Sequence, residues 1–218
     1  REKLARLREL GVNPVGERFE IDHEISDLRA GFKEGVKVRI AGRITAHRDM
    51  GKSHFFDVSD FRGRIQCYLN AKAVGDEQFE IFSQLDLGDW IAIEGETFNT
   101  KVGEPTVKTE TFSVLSKSLR PMPDKYHGLA DKETRYRQRY LDLMSNESSR
   151  EIFLKRSLMV NEIRMFLQSR GFLEVETPML QDVPGGAAAQ PFETFHNALG
   201  MPLYMRIAPE LFLKRLLV

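Results

Sequence analysis

From Val36 onward the apolar residues alternate with polar ones: Val36, Val38, Ile40 and Ile44 share one face, while Lys37, Arg39, Arg43 and Thr45 share the other. A period of two marks a half-buried strand, because successive side chains of an extended chain leave on opposite sides. Further strand-like runs cover 55–58, 65–69, 90–98 and 106–115. They are separated by Gly51, Gly63, Gly88 and the Gly103-Glu104-Pro105 turn. A helical stretch over 76–85 interrupts them after the third. Several short strands with turn residues between them require a sheet that closes on itself or pairs with another.

Five strands with a helix after the third match the order of an OB-fold, a small Greek-key barrel whose strand 2 and 3 face commonly binds single-stranded nucleic acid. Other small barrels share the pattern. The spacing of Leu4, Leu7 and Leu10, stopped by Gly11 and Pro14, predicts a short amphipathic helix ahead of the barrel. After Ser116 the texture changes, and 119–129, with two prolines and a glycine, reads as a linker. Helices are predicted over 132–144 and 148–170, the second closed by Gly171. A strand over 172–175 ended by Pro178, a small-residue loop over 184–189, a strand over 203–207 and a helix starting near Pro209 follow. The expected fold class is α+β with an all-β first domain: helix and barrel in 1–118, a linker in 119–131 and a second domain in 132–218.

Among the 218 residues no apolar run approaches the ~20 that a membrane span needs, and the charged start at Arg1-Glu2-Lys3 is unlike a secretory signal. No membrane partner is expected. One cysteine, Cys67, forms neither an internal disulfide nor a CxxC zinc site, which suits a reducing, cytoplasmic setting.

The 32 basic residues cancel the 32 acidic ones, a balance that argues against a nucleic-acid partner unless the charges are separated. Along the chain they are. Residues 36–72 hold eight basic and three acidic side chains, whereas 73–100 hold seven acidic and no basic ones. A barrel face polarised in this way, interleaved with Phe55, Phe56, Phe61 and Tyr68, suits phosphates and unpaired bases. The same aromatics also suit a barrel interior, and the sequence leaves both roles open. Gln66 alternates with Ile65 and Cys67, so its amide is expected on the surface beside Tyr68. A second basic cluster, Lys132, Arg135, Arg137 and Arg139 beside Tyr136 and Tyr140, fits phosphate contact or, more simply, local pairing with Asp131, Glu133 and Asp142.

Pro184-Gly185-Gly186-Ala187-Ala188-Ala189 has almost no side chains, which lets either a ligand or a neighbouring backbone come close. Glu210 opens an apolar helix, where its carboxylate either stabilises the first turn through the helix dipole or binds a cationic group.

Four stretches taken together carry a family resemblance: Arg135-Tyr136-Arg137-Gln138-Arg139-Tyr140-Leu141-Asp142-Leu143; Arg170-Gly171-Phe172-Leu173-Glu174-Val175-Glu176-Thr177-Pro178; the 184–189 loop; and Arg206-Ile207-Ala208-Pro209-Glu210-Leu211. They resemble the class II lysyl-tRNA synthetases, over essentially the whole chain. The resemblance implies an ATP-dependent ligase that forms lysyl-adenylate and passes the lysyl group to the 3′ end of tRNA(Lys). It also implies a class II antiparallel catalytic domain after the barrel, a homodimer, and a magnesium requirement. Gly186 corresponds to a backbone contact with substrate lysine and Glu210 to the carboxylate that pairs with its amino group. Phe55 and Gln66 correspond to positions that stack on and hydrogen-bond to an anticodon with a central uridine. Glu104 is a further anticodon contact, and Arg48 a phosphate or base contact. Gly171, Phe172 and Pro178 belong to motif 1, the family's dimer interface. Motifs 2 and 3, which carry the ATP-gripping arginines and the magnesium ligands, are expected beyond Val218, so the 218 residues are expected to bind RNA without making adenylate. The competing expectations are an aspartyl or asparaginyl enzyme of the same class, and a non-catalytic OB-fold RNA-binding protein with a dimerising tail.

Overall fold

The computed structural model describes residues 1–16, 18–123 and 129–217. The chain forms two compact units, Arg1–Asn146 and Glu147–Val218. The first opens with α1 (Glu2–Glu9) and α2 (Ile25–Ala30), then β1 (Lys37–Asp49), β2 (Ser53–Ser59) and β3 (Arg64–Asn70). Two helices follow, α3 (Ala71–Val74) and α4 (Asp76–Ser83), and then β4 (Trp90–Asn99) and β5 (Pro105–Ser116).

The five strands close into a barrel in the order β1-β2-β3-β5-β4. β3 and β5 run parallel and every other pair antiparallel. This is the OB-fold expected from the strand order. Alternate residues fill it: Val38, Ile40, Phe56, Val58, Ile65, Leu69, Ile91, Ile93 and Val107 are at most 2% exposed. Phe82 of α4 and Leu7 of α1 join the same core, so both helices plug the barrel rather than decorate it. α1 is further tied down by Lys3 to Asp86 at 2.5 Å and by an Arg6–Glu80 ion pair. Gly95 of β4 lies close against β5. A Cβ there would stand 2.1 Å from the Lys108 carbonyl oxygen, next to an irregularity in the β4–β5 register, so only glycine lets the two strands coil this closely. Where the chain leaves β5, Lys117 lies almost fully buried between Asp86 at 2.7 Å and Asp89 at 2.9 Å.

The helix predicted over 132–144 is two: α5 (Lys132–Arg137), capped by Asp131, and α6 (Arg139–Ser145). They break at Gln138, whose ψ of 59° is far from helical. Both are grouped with the barrel unit, whereas the sequence reading assigns this segment to the second domain. Part of the expected linker, 124–128, lies outside the described residues.

The second unit holds α7 (Glu147–Gln168) and a three-stranded antiparallel sheet in the order β6 (Leu180–Gln181), β8 (Met201–Met205), β7 (Glu193–His196), then α8 (Glu210–Arg215). α7 ends as expected: Gly171 takes a left-handed φ of 85°, and the Phe172 amide donates back to the Leu167 carbonyl. The strand expected over 172–175 is absent. Those residues are exposed and join no ladder among the described residues, and an extended segment without a partner is not a strand.

Candidate functional site

Barrel geometry brings the predicted nucleic-acid residues onto one face. Antiparallel pairing sets Arg48 of β1 opposite Phe55 of β2, and Phe55 opposite Tyr68 of β3. The parallel β3–β5 pair sets Gln66 opposite Thr106 and Tyr68 opposite Lys108. The Phe55 and Tyr68 rings are 4.9 Å apart and tilted by 45°, each half-buried. Tyr68 is steadied by Phe98 edge-on at 6.1 Å and by a hydroxyl cluster, with Ser53 Oγ at 3.1 Å and Asn70 Nδ2 donating at 3.2 Å. The aromatics left ambiguous by the sequence therefore divide: Phe56 fills the core at 1% exposed, Phe55 and Tyr68 line the outer face, and Phe61 projects from the β2–β3 turn at 63% exposed.

Gln66 departs from expectation. It faces outward with Tyr68, as the alternation requires, but it is only 9% exposed. Arg48 covers it, donating from Nη2 to Gln66 Oε1 at 2.6 Å, and Gln66 Nε2 donates to Thr106 Oγ1 at 2.9 Å. Thr106 in turn donates to the Glu104 carbonyl at 3.0 Å. Glu104 thus joins the same network through its backbone. Its half-exposed carboxylate lies 3.5 Å from Arg29 of α2. Sequence reasoning missed Thr106. The signal that reveals it is the parallel β3–β5 pairing of the fold, which no local pattern carries.

The charge polarisation also changes in three dimensions. β4, drawn from the acidic stretch, is the neighbour of β1, with Lys37 opposite Glu96 and Arg39 opposite Glu94. Lys37 pairs with Glu110 and with Glu96 at 3.4 Å, and Arg39 pairs with Glu94 at 3.0 Å. Arg62 and Arg64 pair with Glu24 and Asp57. Arg43 donates to the Gly88 carbonyl at 2.7 Å over the Trp90 ring. Much of the excess counted along the sequence is thereby neutralised by register. Arg48, Lys52, Lys72 and Lys108 are exposed and have no carboxylate partner among the described residues. The Ala71 amide bonds to the Lys52 carbonyl at 2.9 Å, which brings Lys52 and Lys72 to the Tyr68 end of the aromatic face.

In the cluster at 132–139 the arginines are paired locally. Arg135 and Arg139 both pair with fully buried Asp142, and Arg137 pairs with Glu133 at 2.6 Å. Asp131 caps α5 by accepting from the Thr134 amide.

In the second unit the structure brings the small-residue loop against the start of α8. Gly186 has a left-handed φ of 90°, which favours glycine, and a Cβ there would meet the Ala208 carbonyl oxygen tightly at 3.0 Å. Gly186 and Glu210 therefore stand in one neighbourhood. Among the described residues, the Glu210 carboxylate accepts no backbone amide at the start of α8. Its side chain is 53% exposed and accepts from Lys214 Nζ at 2.5 Å, one turn on. The carboxylate at the start of this apolar helix is thus open to solvent. Phe172 is 61% exposed, and Gly171 and Pro178 are exposed with it. Among the described residues no group of three or more His, Cys, Asp or Glu side chains is placed to hold a metal ion, and no helix is long and apolar enough to cross a membrane.

Comparison with known proteins places two descriptions on the chain. Residues 38–115 match "OB-fold nucleic acid binding domain" and residues 131–218 match "tRNA synthetases class II (D, K and N)". A lysine–tRNA ligase of Pelotomaculum thermopropionicum is 54% identical over 220 residues, covering 100% of this chain and 44% of that protein. Over its whole length the chain is thus similar to class II lysine–tRNA ligases. The lysine–tRNA ligases of Bacillus cytotoxicus and Bacillus anthracis are each 52% identical over 227 residues, covering all of this chain and 46% of theirs. The chain thus spans a little under half the length of these relatives. The OB-fold match contains Arg48, Phe55, Gln66, Glu104 and Thr106, and the synthetase match contains Gly186 and Glu210. That second match begins at residue 131 and so takes in α5 and α6, which the internal contacts group with the barrel.

Proposed function

We propose that the barrel reads the anticodon of tRNA(Lys) and that the second unit supplies the lysine-binding part of a cytoplasmic, ATP-dependent lysine–tRNA ligase. The observation that carries the reading is the convergence of Arg48, Phe55, Gln66 and Tyr68 on one barrel face, with unpaired cations at its edge. An unpaired base needs a ring to stack on and an amide to meet its edge, and this face offers both. In the ligase reaction the lysine carboxylate attacks the α-phosphate of ATP to give lysyl-adenylate and pyrophosphate, and the acyl group then passes to the terminal ribose hydroxyl of the tRNA, releasing AMP. Glu210 and the Gly186 backbone bind the lysine. A carboxylate with one ammonium already at 2.5 Å is suited to a second compact cation, which exchanges with Lys214.

The acidic side chains present do not form a magnesium site among the described residues, so no step is assigned to the metal through them. Exposed Phe172 and its extended neighbours support motif 1 as the surface that meets a second copy in a homodimer.

Replacing Phe55 by Ala removes the stacking face while leaving the core intact. We expect the chain to lose about 1–3 kcal/mol of affinity for a uridine-rich anticodon stem-loop, read by fluorescence anisotropy. Unchanged affinity, with unchanged thermal stability, would remove Phe55 from the site.

A further inference from the structure

The Gln66 amide is held at both ends by groups that leave it one orientation. Arg48 Nη2 donates to Oε1 at 2.6 Å, and a guanidinium has no acceptor. Nε2 donates to Thr106 Oγ1 at 2.9 Å. The single proton of that hydroxyl goes to the Glu104 carbonyl at 3.0 Å, so towards Gln66 it can only accept. The hydrogen bonds therefore run one way, from Arg48 through Gln66 and Thr106 to Glu104. Thr106 is fully buried, so water does not stand in for either of its partners. The same carbonyl is fixed from the other side by the Thr100 amide at 3.1 Å, and the Glu104 amide donates to Thr100 Oγ1 at 3.0 Å.

We propose that Thr106 is a positioning residue that determines base specificity: it holds the Gln66 amide so that donor and acceptor meet the edge of an unpaired uridine in one order only. This inference rests on the anticodon reading above. Beyond its bonds to Arg48 and Thr106, Gln66 keeps one Nε2 proton and one Oε1 lone pair. Uridine presents a carbonyl acceptor at position 4 beside a donor at N3, and cytidine presents a donor at position 4 beside an acceptor at N3. An amide free to make a half-turn meets either base equally well. A fixed amide faces one of them with donor against donor and acceptor against acceptor, and so rejects it. Thr106 does not touch the base; it acts through Gln66.

Thr106→Val keeps the branched shape and removes the hydroxyl, Thr106→Ala removes it with less bulk, and Thr106→Ser restores it. Each variant of the 218-residue chain is titrated by anisotropy with two labelled anticodon stem-loops that differ only in a central uridine or cytidine, and its thermal midpoint is recorded. The unmodified chain and Thr106→Ser are expected to prefer uridine. Thr106→Val, and Thr106→Ala should the valine variant not fold, are expected to lose about tenfold of that preference. A hydroxyl-free variant that keeps the full preference, even with weaker binding to both loops, overturns the role of Thr106 and leaves the anticodon reading intact. Equal affinity of the unmodified chain for both loops overturns both.

Discussion

His54 lies on the buried side of β2, packed against α4. Its ring is 5% exposed, lies 3.0 Å from His47 across β1 and β2, and packs on Phe79 and Phe82. Burial lowers its pKa from the ordinary value, and Asp49 at 3.6 Å only partly offsets this. His47 is lowered as well, first by burial and then by His54. The unfolded chain takes up protons near the ordinary histidine pKa of about 6.5, above the folded value, so the unfolded state binds more protons as pH falls. Stability is therefore complete above about pH 6.5 and declines below it, and urea midpoints measured between pH 7.5 and 5 should fall, less steeply in a His54→Gln variant. A midpoint independent of pH over that range would contradict the burial of a neutral ring. His54 and Gln66 also show what single residues hide in a sequence. Alternation gives the side of a strand on which a residue lies, but the cover over Gln66 comes from Arg48 and Thr106 on two other strands. The buried Cys67, whose thiol is pushed up by burial, reads as an ordinary core residue from the same alternation.

The barrel strands were legible because each repeats a period-two pattern over several residues between glycine-containing turns, and the observed bounds differ from the predicted ones by at most a few residues. α2 and α3, of six and four residues, were not foreseen, since so short a helix completes too few turns to show a stripe. The break at Gln138 was equally hidden, because no proline or glycine announces it. In the second unit β6 and β7 have two and four residues, too few for a period to declare itself. Gly95 carries the clearest prediction at this scale. With Lys108 O at 2.1 Å from any Cβ, Gly95→Ala forces β4 and β5 apart. We expect a loss of about 2–3 kcal/mol in urea unfolding, whereas Gly51→Ala, with open space around it but a left-handed φ of 77°, should cost about 1 kcal/mol. Equal costs at the two sites would refute the steric account.

Across the whole chain, the balance of 32 basic against 32 acidic residues conceals how the barrel uses its charge. Linear separation suggested one strongly basic face. Register instead pairs the cations of β1 with the acids of β4 and β5, and leaves Arg48, Lys52, Lys72 and Lys108 around the aromatic pair. On the proposed anticodon reading, affinity rests more on base stacking and amide contact than on bulk charge, which suits a loop of unpaired bases better than a duplex. The Gly186–Glu210 neighbourhood was legible as a motif but not as a pocket, because the openness of Glu210 depends on what packs around α8. The direct test of the central claim is a residue-resolved titration of isotope-labelled chain with a stem-loop carrying three anticodon uridines, followed by amide and side-chain NMR shifts. The account predicts changes concentrated at Arg48, Phe55, Gln66, Tyr68 and Glu104, with Lys37, Arg39 and Glu94 unmoved. Shifts centred on the paired β1–β4 surface, or none at saturating RNA, would contradict it.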